Sequence, residues 1–215
     1  MDVGCGNGYT LSILSKKYPV HRFVGIEKSD ELRALASSRF KRTKNVEILK
    51  GDIREKHIAK NSAADILICQ RVLINLLDLK DQKSALKNIV NAVAGPAAPE
   101  PGGRLLFLEC FMSSLERLNE ARGEFDLPRI PQARHNLYLP DGFFKIPQLE
   151  PVGAEGPNPP NFLSTHYYVT RVFHPVFTRN KVFKRNSEFV KFFTPALNKN
   201  AGDYSSLKLH MFEKA

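Results

Sequence analysis

Short apolar runs alternate with amphipathic segments over the first half of the chain. This alternation is typical of βαβ units that build a parallel sheet. The apolar runs predict buried strands at residues 23–26, 46–49, 66–69 and 105–108. The amphipathic segments predict helices at residues 9–18, at residues 29–40 with Ser29 as N-cap, and at residues 81–93. We therefore expect an α/β fold with a doubly wound, mostly parallel sheet.

The second half of the chain has a different pattern. It predicts one helix at residues 114–122, a stretch rich in proline, glycine and aromatic residues up to residue 165, a strand at 167–173, a helix at 187–197 and a last strand at 207–212. Loops longer than about 12 to 15 residues in compact domains are usually functional or disordered. We interpret residues 111–165 as a lid inserted in a single domain, 1–215, and residues 166–215 as the segment that completes the sheet.

A glycine-rich turn connects the first strand to the first helix. Its sequence is Asp2-Val3-Gly4-Cys5-Gly6-Asn7-Gly8. Glycines at alternate positions remove the Cβ atoms from a tight turn, so a ligand can contact the backbone while amide groups at the start of the helix point towards it. The spacing differs from the Gly-x-Gly-x-x-Gly of pyrophosphate binding. The turn is therefore expected to bind a ligand other than a pyrophosphate group.

This turn resembles motif I of the class I S-adenosylmethionine-dependent methyltransferases, and further segments follow in the order of that family. Glu27 matches the acid that accepts both ribose hydroxyls, and residues 51–53 match the position where an Asp binds the adenine amino group. Residues 65–71 match motif IV, and residues 101–106 match the turn into strand five. Several motifs in order are more specific than any one of them.

The resemblance implies a Rossmann-like fold with an antiparallel C-terminal strand, and residues 1–110 as its cofactor-binding half. It also implies S-adenosylmethionine as cofactor. The expected cofactor-binding residues are Asp2, Gly4, Cys5, Gly6, Asn7, Gly8, Glu27, Lys28, Gly51, Asp52, Ile53, Gln70 and Arg71. In the family several more residues precede motif I, so we expect a truncated first strand here, with fewer ladder hydrogen bonds.

Composition narrows the class of protein further. The 215 residues are 42% hydrophobic and 25% charged, which suits one globular domain. The formal charge of +10 favours anionic partners such as nucleic acid or an acidic small molecule, but a solvated basic face is the simpler interpretation. Cys5, Cys69 and Cys110 form no metal-binding or disulfide pattern. With no apolar run long enough to span a bilayer, we expect a cytoplasmic protein without a membrane or metal partner.

The sequence identifies the methyl acceptor less clearly than it identifies the cofactor. The segment after strand four lacks the Asn/Asp-Pro-Pro-aromatic element of many methyltransferases that act on exocyclic or amide nitrogens. A hydroxyl acceptor gains from a general base, and His135 and His166 are the histidines in or beside the lid. Each could equally be structural. Aromatic residues in this part of the chain could line a pocket or belong to the core, and Arg71, Arg134 and Arg171 could hold an acidic group.

Three functions follow from these observations. The first is methyl transfer to a small-molecule acceptor, with the hydroxyl of a sugar or secondary metabolite as the expected target. The second is RNA methylation, which the charge of +10 favours. The third is a catalytically incomplete cofactor-binding fragment, which the short first strand favours. The sequence indicates no oligomeric state.

Overall fold

The computed structural model describes residues 1–56, 58, 63–96, 102–153, 161–178, 187–197 and 200–215. The strands are β1 (Asp2–Val3), β2 (Phe23–Glu27), β3 (Val46–Lys50), β4 (Ile66–Gln70), β5 (Arg104–Cys110), β6 (Leu149–Pro151) and β7 (Leu207–Lys214). The α-helices are α1 (Tyr9–Lys17), α2 (Asp30–Arg39), α3 (Leu79–Asn91), α4 (Met112–Gly123), α5 (Ser164–Tyr168), α6 (His174–Thr178) and α7 (Glu188–Ala196). A 3₁₀ turn occupies Leu73–Asn75, and a π-helix, Val169–Phe173, joins α5 to α6.

The strands form one sheet in the order β3-β2-β1-β4-β5-β7-β6. β1 pairs in parallel with β2 on one side and with β4 on the other, although it has only two residues. β6 and β7 pair antiparallel, with Leu149 opposite Lys214. The predicted doubly wound, mostly parallel sheet with an antiparallel C-terminal strand is therefore confirmed.

The described residues form two compact units. The first unit contains residues 1–108, 144–153 and 210–215, and the second contains residues 109–143 and 161–209 apart from the undescribed gaps. In the first unit Phe107, Phe144 and Phe212 pack ring against ring, with centroids 4.6 to 6.1 Å apart. These ring contacts pack β5 against β7, its neighbour in the sheet.

Local signals explain why the helices of the first unit begin where they do. The Ser29 hydroxyl accepts a hydrogen bond from the amide of Leu32, as expected for the N-cap of α2. α3 begins at Leu79 rather than at Asp81, because the Asp78 carboxylate caps it by accepting from the amides of Lys80 and Asp81. The helix also ends at Asn91, two residues before the predicted end.

The predicted strand at residues 167–173 is wrong, because this segment is helical. Tyrosine, valine and threonine gave it a high β-propensity, but packing overrides propensity when the buried positions follow a helical period. Val169, Thr170 and Val172 are buried, which a strand of alternating faces would not produce. The structure also adds β6, whose Pro151 is tolerated because the strand lies at the sheet edge.

A proline explains the distortion of this helical segment. Pro175 has no N–H group to donate to the carbonyl of Arg171, one turn earlier in the helix. The guanidinium of Arg122 takes the place of that missing donor by donating from Nη1 to the Arg171 carbonyl. Its Nε and Nη2 atoms donate to the carbonyl of Pro128 at 2.9 and 2.7 Å. Arg122 is 8% exposed, so these hydrogen bonds lie away from solvent.

We expect Arg122→Lys to destabilise the protein by about 1 to 3 kcal/mol. A lysine ammonium group cannot reproduce the hydrogen bonds that the three guanidinium nitrogens donate, so buried carbonyls would lose a donor. Chemical denaturation of both proteins measures this difference. Arg129→Lys is the matched control, since Arg129 is exposed and pairs with Glu116 at the surface. An equal effect of both substitutions would contradict the structural role of Arg122.

Candidate functional site

The candidate site lies where the order of the strands reverses. The chain runs outward from β1 through β2 to β3, and then crosses over to β4 and β5 on the other side of β1. In open α/β sheets, ligands bind in the crevice at the carboxyl ends of the strands at such a switch point. All the predicted cofactor-binding residues follow or end β1, β2, β3 or β4, except Asp2, which lies within β1.

The glycine turn after β1 is held by backbone conformations that favour glycine. Gly4, Gly6 and Gly8 have φ angles of +69°, +55° and +75°. A Cβ at Gly4 would collide with the Val72 side chain, and one at Gly8 would lie 2.6 Å from the Phe40 ring. A Cβ at Gly6 would meet nothing within 4 Å. The backbone at Gly6 is therefore the part of the turn that a ligand can approach.

Hydrogen bonds to the end of β2 fix the position of this turn. The amides of Gly4 and Cys5 donate to the carbonyl of Ile26 at 2.8 and 3.1 Å. The amide of Gly6 donates to Oε2 of Glu27 at 2.8 Å, and Oε1 accepts from the amide of Ser29 at 2.8 Å. Each carboxylate oxygen can accept more than one hydrogen bond, so both can still serve a diol. Glu27 is 8% exposed and lies beside the open face of Gly6.

Asp2 is a buried acid in the central strand, and it is only 4% exposed. Burial raises the pKa of its carboxyl to about 7; the Met1 ammonium opposes this shift and Glu27 adds to it. Burial, with Asp2 and Glu27 nearby, also raises the pKa of the Cys5 thiol to about 12. Cys5 packs with Leu11 and Phe40 as an apolar residue, so its surroundings do not suit a nucleophile.

Asp52 is surrounded by cations after β3. Its carboxylate accepts from the backbone and side chain of Arg54 at 2.5 to 3.0 Å and pairs with Lys28 Nζ at 3.1 Å. Hydrogen bonds from Arg54 are the main reason that the pKa of Asp52 lies well below its usual range. A ligand amino group that binds Asp52 must share the carboxylate with Arg54 or displace it.

The remaining residues of this set are positioned by the backbone. Asn7 accepts from the amide of Tyr9 and from Arg39, and the amide of Gly51 donates to the carbonyl of Glu27 at 3.4 Å. Ile53 is buried, and its carbonyl accepts from Asn88 at 3.0 Å. Gln70 ends β4 and is exposed.

Arg71 has a φ angle of +54°, which is uncommon for a residue other than glycine. Its amide donates to the carbonyl of Leu108 at 2.8 Å, and its own carbonyl accepts from Asn75 Nδ2 at 2.9 Å. These two hydrogen bonds hold the residue in the left-handed region. Strained residues of this kind cluster at ligand sites, which agrees with the position of Arg71 at the switch point.

The two predicted catalytic histidines lie in the second unit. His135 is exposed in a tight turn closed by a hydrogen bond from the Asn136 amide to the Ala133 carbonyl. His166 lies in α5, with its Nδ1 atom 3.3 Å from Oγ1 of Thr194. Burial raises the pKa of the Tyr138 hydroxyl in the same unit. The assignment of a general base to either histidine stays a prediction.

Three residues that shape the candidate site in the first unit were not predicted from the sequence as part of it. Arg54 pairs with Asp52, Val72 fills the space that a Cβ at Gly4 would need, and Ser29 donates its amide to Glu27. The spacing Asp-x-Arg could have suggested Arg54, since an Asp at the start of a turn often accepts hydrogen bonds from the residue two positions later. Nothing local in the sequence places Val72 against Gly4.

Two negative findings concern the described residues. They contain no group of three or more His, Cys, Asp or Glu side chains that could hold a metal ion. In this described part of the chain, no helix has both the length and the apolar character needed to cross a membrane.

Residues 1–95 match a family model described as "Methyltransferase domain". No curated protein matches the sequence.

Solved structures share part of the fold. CalS10, an amino pentose methyltransferase from Micromonospora echinaspora solved with SAM bound, is 25% identical and covers 49% of this chain and 40% of its own, with a TM-score of 0.41. An S-adenosylmethionine-dependent methyltransferase from Clostridium acetobutylicum is 20% identical over 55% of this chain and 45% of its own, with a TM-score of 0.45. PKMT2 from Rickettsia typhi, in complex with AdoHcy, is 19% identical over 58% of this chain and 23% of its own, with a TM-score of 0.46. The chain thus matches less than half the length of each.

The burial of Asp2 predicts how stability depends on pH. The folded protein holds this proton up to about pH 7, whereas an unfolded chain releases it near the ordinary value of 3.8. Stability therefore falls as pH rises from about 4 to about 7, and the loss is complete above the folded pKa. We expect Asp2→Asn to be more stable than wild type at pH 8, on the order of a few kcal/mol, and similar to it at pH 4.

Urea denaturation at pH 4, 6 and 8 measures this effect, with Glu150→Gln at an exposed position of β6 as the control. A difference between Asp2→Asn and wild type that does not change with pH would contradict the prediction.

Proposed function

We propose, on the premise that residues 1–95 carry a methyltransferase domain, that this protein transfers a methyl group from S-adenosylmethionine to a small-molecule acceptor. The hydroxyl of a sugar or secondary metabolite is the target that we favour. The match of residues 1–95 to this family model supports the resemblance to class I methyltransferases drawn from the sequence.

One observation carries the proposal: the Glu27 carboxylate lies at the end of β2, hydrogen-bonded to the one glycine of the turn whose missing Cβ leaves open space. A ribose beside Gly6 could donate both hydroxyls to this carboxylate. Glu27 would then bind the sugar and the turn together. The distance of 2.8 Å between Gly6 N and Oε2 suits this double role.

The neighbouring residues extend this binding mode in both directions. Asp2 and the turn from Gly4 to Gly8 would accompany the cationic amino acid end of the cofactor. Residues 51–53 and Lys28 would bind the adenine, with Asp52 accepting from its amino group and Ile53 packing against the ring. Gln70 and Arg71 would line the side of the crevice that belongs to β4.

The cofactor supplies a methyl carbon that the attached sulfonium has already activated. The chain's own task is to hold the acceptor in line with that carbon and to exclude water, and orientation alone supplies much of the rate enhancement. For a hydroxyl acceptor, a base must also remove the proton. His135 and His166 are the residues that we propose for this step.

The small-molecule acceptor is supported by the chain itself. No Asn/Asp-Pro-Pro-aromatic element follows β4, and the long segment between α4 and α5 has the composition of a lid. The charge of +10 favours RNA as the alternative acceptor. RNA binding that weakens steeply with salt would support that alternative, because phosphate contacts release counterions.

We expect Glu27→Ala to weaken binding of S-adenosylhomocysteine strongly, by about 100-fold or more, because it removes two charge-assisted hydrogen bonds to ribose. Isothermal titration calorimetry measures the affinity. Glu31→Ala, an exposed acid in the first turn of α2, is the matched control and should bind as wild type does. Equal affinities for the two variants would remove Glu27 from the binding site.

We expect His135→Ala to lower turnover by about 100-fold or more while leaving the affinity for S-adenosylhomocysteine unchanged, because a general base acts on the acceptor and not on the cofactor. Turnover is measured as formation of S-adenosylhomocysteine with a panel of phenols and sugars. His166→Ala is measured in parallel. If turnover is normal in His135→Ala and reduced in His166→Ala, the base is His166. If turnover is normal in both variants, neither histidine is the base.

A further inference from the structure

The second unit contains a cavity of about 500 Å³. Its wall includes Tyr168, Phe173 and Tyr204 with the aliphatic residues Val169 and Leu197. The other residues that line it are Thr165, Ala196 and Ala201. No residue in this set carries a charge, and the volume falls within the range of small-molecule sites.

The π-helix forms one side of this cavity. Val169 and Phe173 are its first and last residues, and both line the cavity. A π-helix is rare, and such turns are frequent at functional sites because they shift side chains out of the helical register. The distortion is supported from outside the cavity by Arg122, which donates to the carbonyl of Arg171.

The aromatic side chains of the cavity are arranged edge to face. The Tyr168 ring lies 4.7 Å from that of Tyr204 and 4.9 Å from that of Phe173, at interplanar angles of 62° and 89°. Aromatic rings favour this geometry, and it presents both ring faces and ring edges to a guest. Burial raises the pKa of the Tyr168 hydroxyl, so this group stays protonated and can donate a hydrogen bond.

Hydrogen bonds around Ser164 and Thr165 connect this helical segment to residues 201–204 beside the cavity. The Ser164 hydroxyl donates to the carbonyl of Ala201 at 2.6 Å and accepts from the amide of Tyr204 at 3.0 Å. Oγ1 of Thr165 accepts from the amide of Ala201 at 3.0 Å. Asp203 lies between Ala201 and Tyr204 in the sequence, and its carboxylate accepts hydrogen bonds from Ser114 and Asn161 at 2.8 Å. The cavity is therefore built before any ligand arrives.

We propose that this cavity binds an uncharged small molecule that carries an aromatic ring. This binding site does not depend on the proposed function. An anionic group would find no cationic partner among the residues that line this cavity. The overall charge of +10 therefore does not determine the charge of the ligand bound here.

Two matched probes test the proposal on the full chain. 2-Naphthol is aromatic, uncharged at neutral pH and carries a hydroxyl; 2-naphthoate has the same ring system with a negative charge. We expect calorimetry to show binding of 2-naphthol, and binding of 2-naphthoate at least about tenfold weaker, which corresponds to about 1.4 kcal/mol. Equal affinity for the two probes would overturn the proposed preference for an uncharged ligand.

A variant locates the binding site. Ala196→Phe adds a ring at the rim of the cavity and should weaken 2-naphthol binding by at least about tenfold. Ala34→Phe, at an exposed position of α2 in the first unit, is the matched control and should bind as wild type does. Circular dichroism verifies that both variants fold. Equal binding by the two folded variants would place the probe elsewhere and overturn the site.

Titration of the same samples with S-adenosylhomocysteine separates the two proposals. A chain that binds S-adenosylhomocysteine but not 2-naphthol would overturn the cavity proposal and leave the proposed function intact. A chain that binds 2-naphthol in the cavity but not S-adenosylhomocysteine would overturn the proposed function and leave the cavity proposal intact.

Discussion

The candidate site depends on the backbone amides of Gly4, Cys5 and Gly6, which all donate to the end of β2. β1 contributes only two residues to the sheet, so the turn that follows it cannot be held by a long ladder of its own. The Ile26 carbonyl and the Glu27 carboxylate hold it instead. Apart from its chain neighbours, none of the described residues lies within 4 Å of where a Cβ at Gly6 would stand, so hydrogen bonding rather than packing fixes this part of the turn. The carboxylate therefore organises the free protein as well as any complex.

The sequence predicted the first unit well because its signals there are local. Apolar runs, the Ser29 cap and the glycine turn each act within a few residues, and the sheet order follows from alternating strands and helices. The strand predicted at residues 167–173 was wrong: these residues favour β structure, but they lie in a helical segment. Burial of one helical face decided its conformation, and that burial depends on chain segments distant in sequence.

The same distinction applies to the site residues. The position of Glu27 and the left-handed glycines could be predicted, since a motif of adjacent residues encodes them. The ion pair between Lys28 and Asp52 could not, because it depends on how the loops after β2 and β3 meet in space. Asp2 was expected as an acid beside the turn, but only the structure shows that burial raises its pKa to about 7. An acid that destabilises the fold in this way is typical of a residue kept for function.

Pro175 and Arg122 are separated by 53 positions, yet both act on the carbonyl of Arg171. The proline cannot donate to this carbonyl as an α-helical residue would, and the guanidinium donates to it from α4. A residue with an amide hydrogen at 175 would compete with the guanidinium and favour a straight α-helix, which would close the register shift at Val169–Phe173. We therefore expect related chains to keep both Pro175 and Arg122 or to replace both. A relative in which both residues are replaced should have a pocket of a different shape.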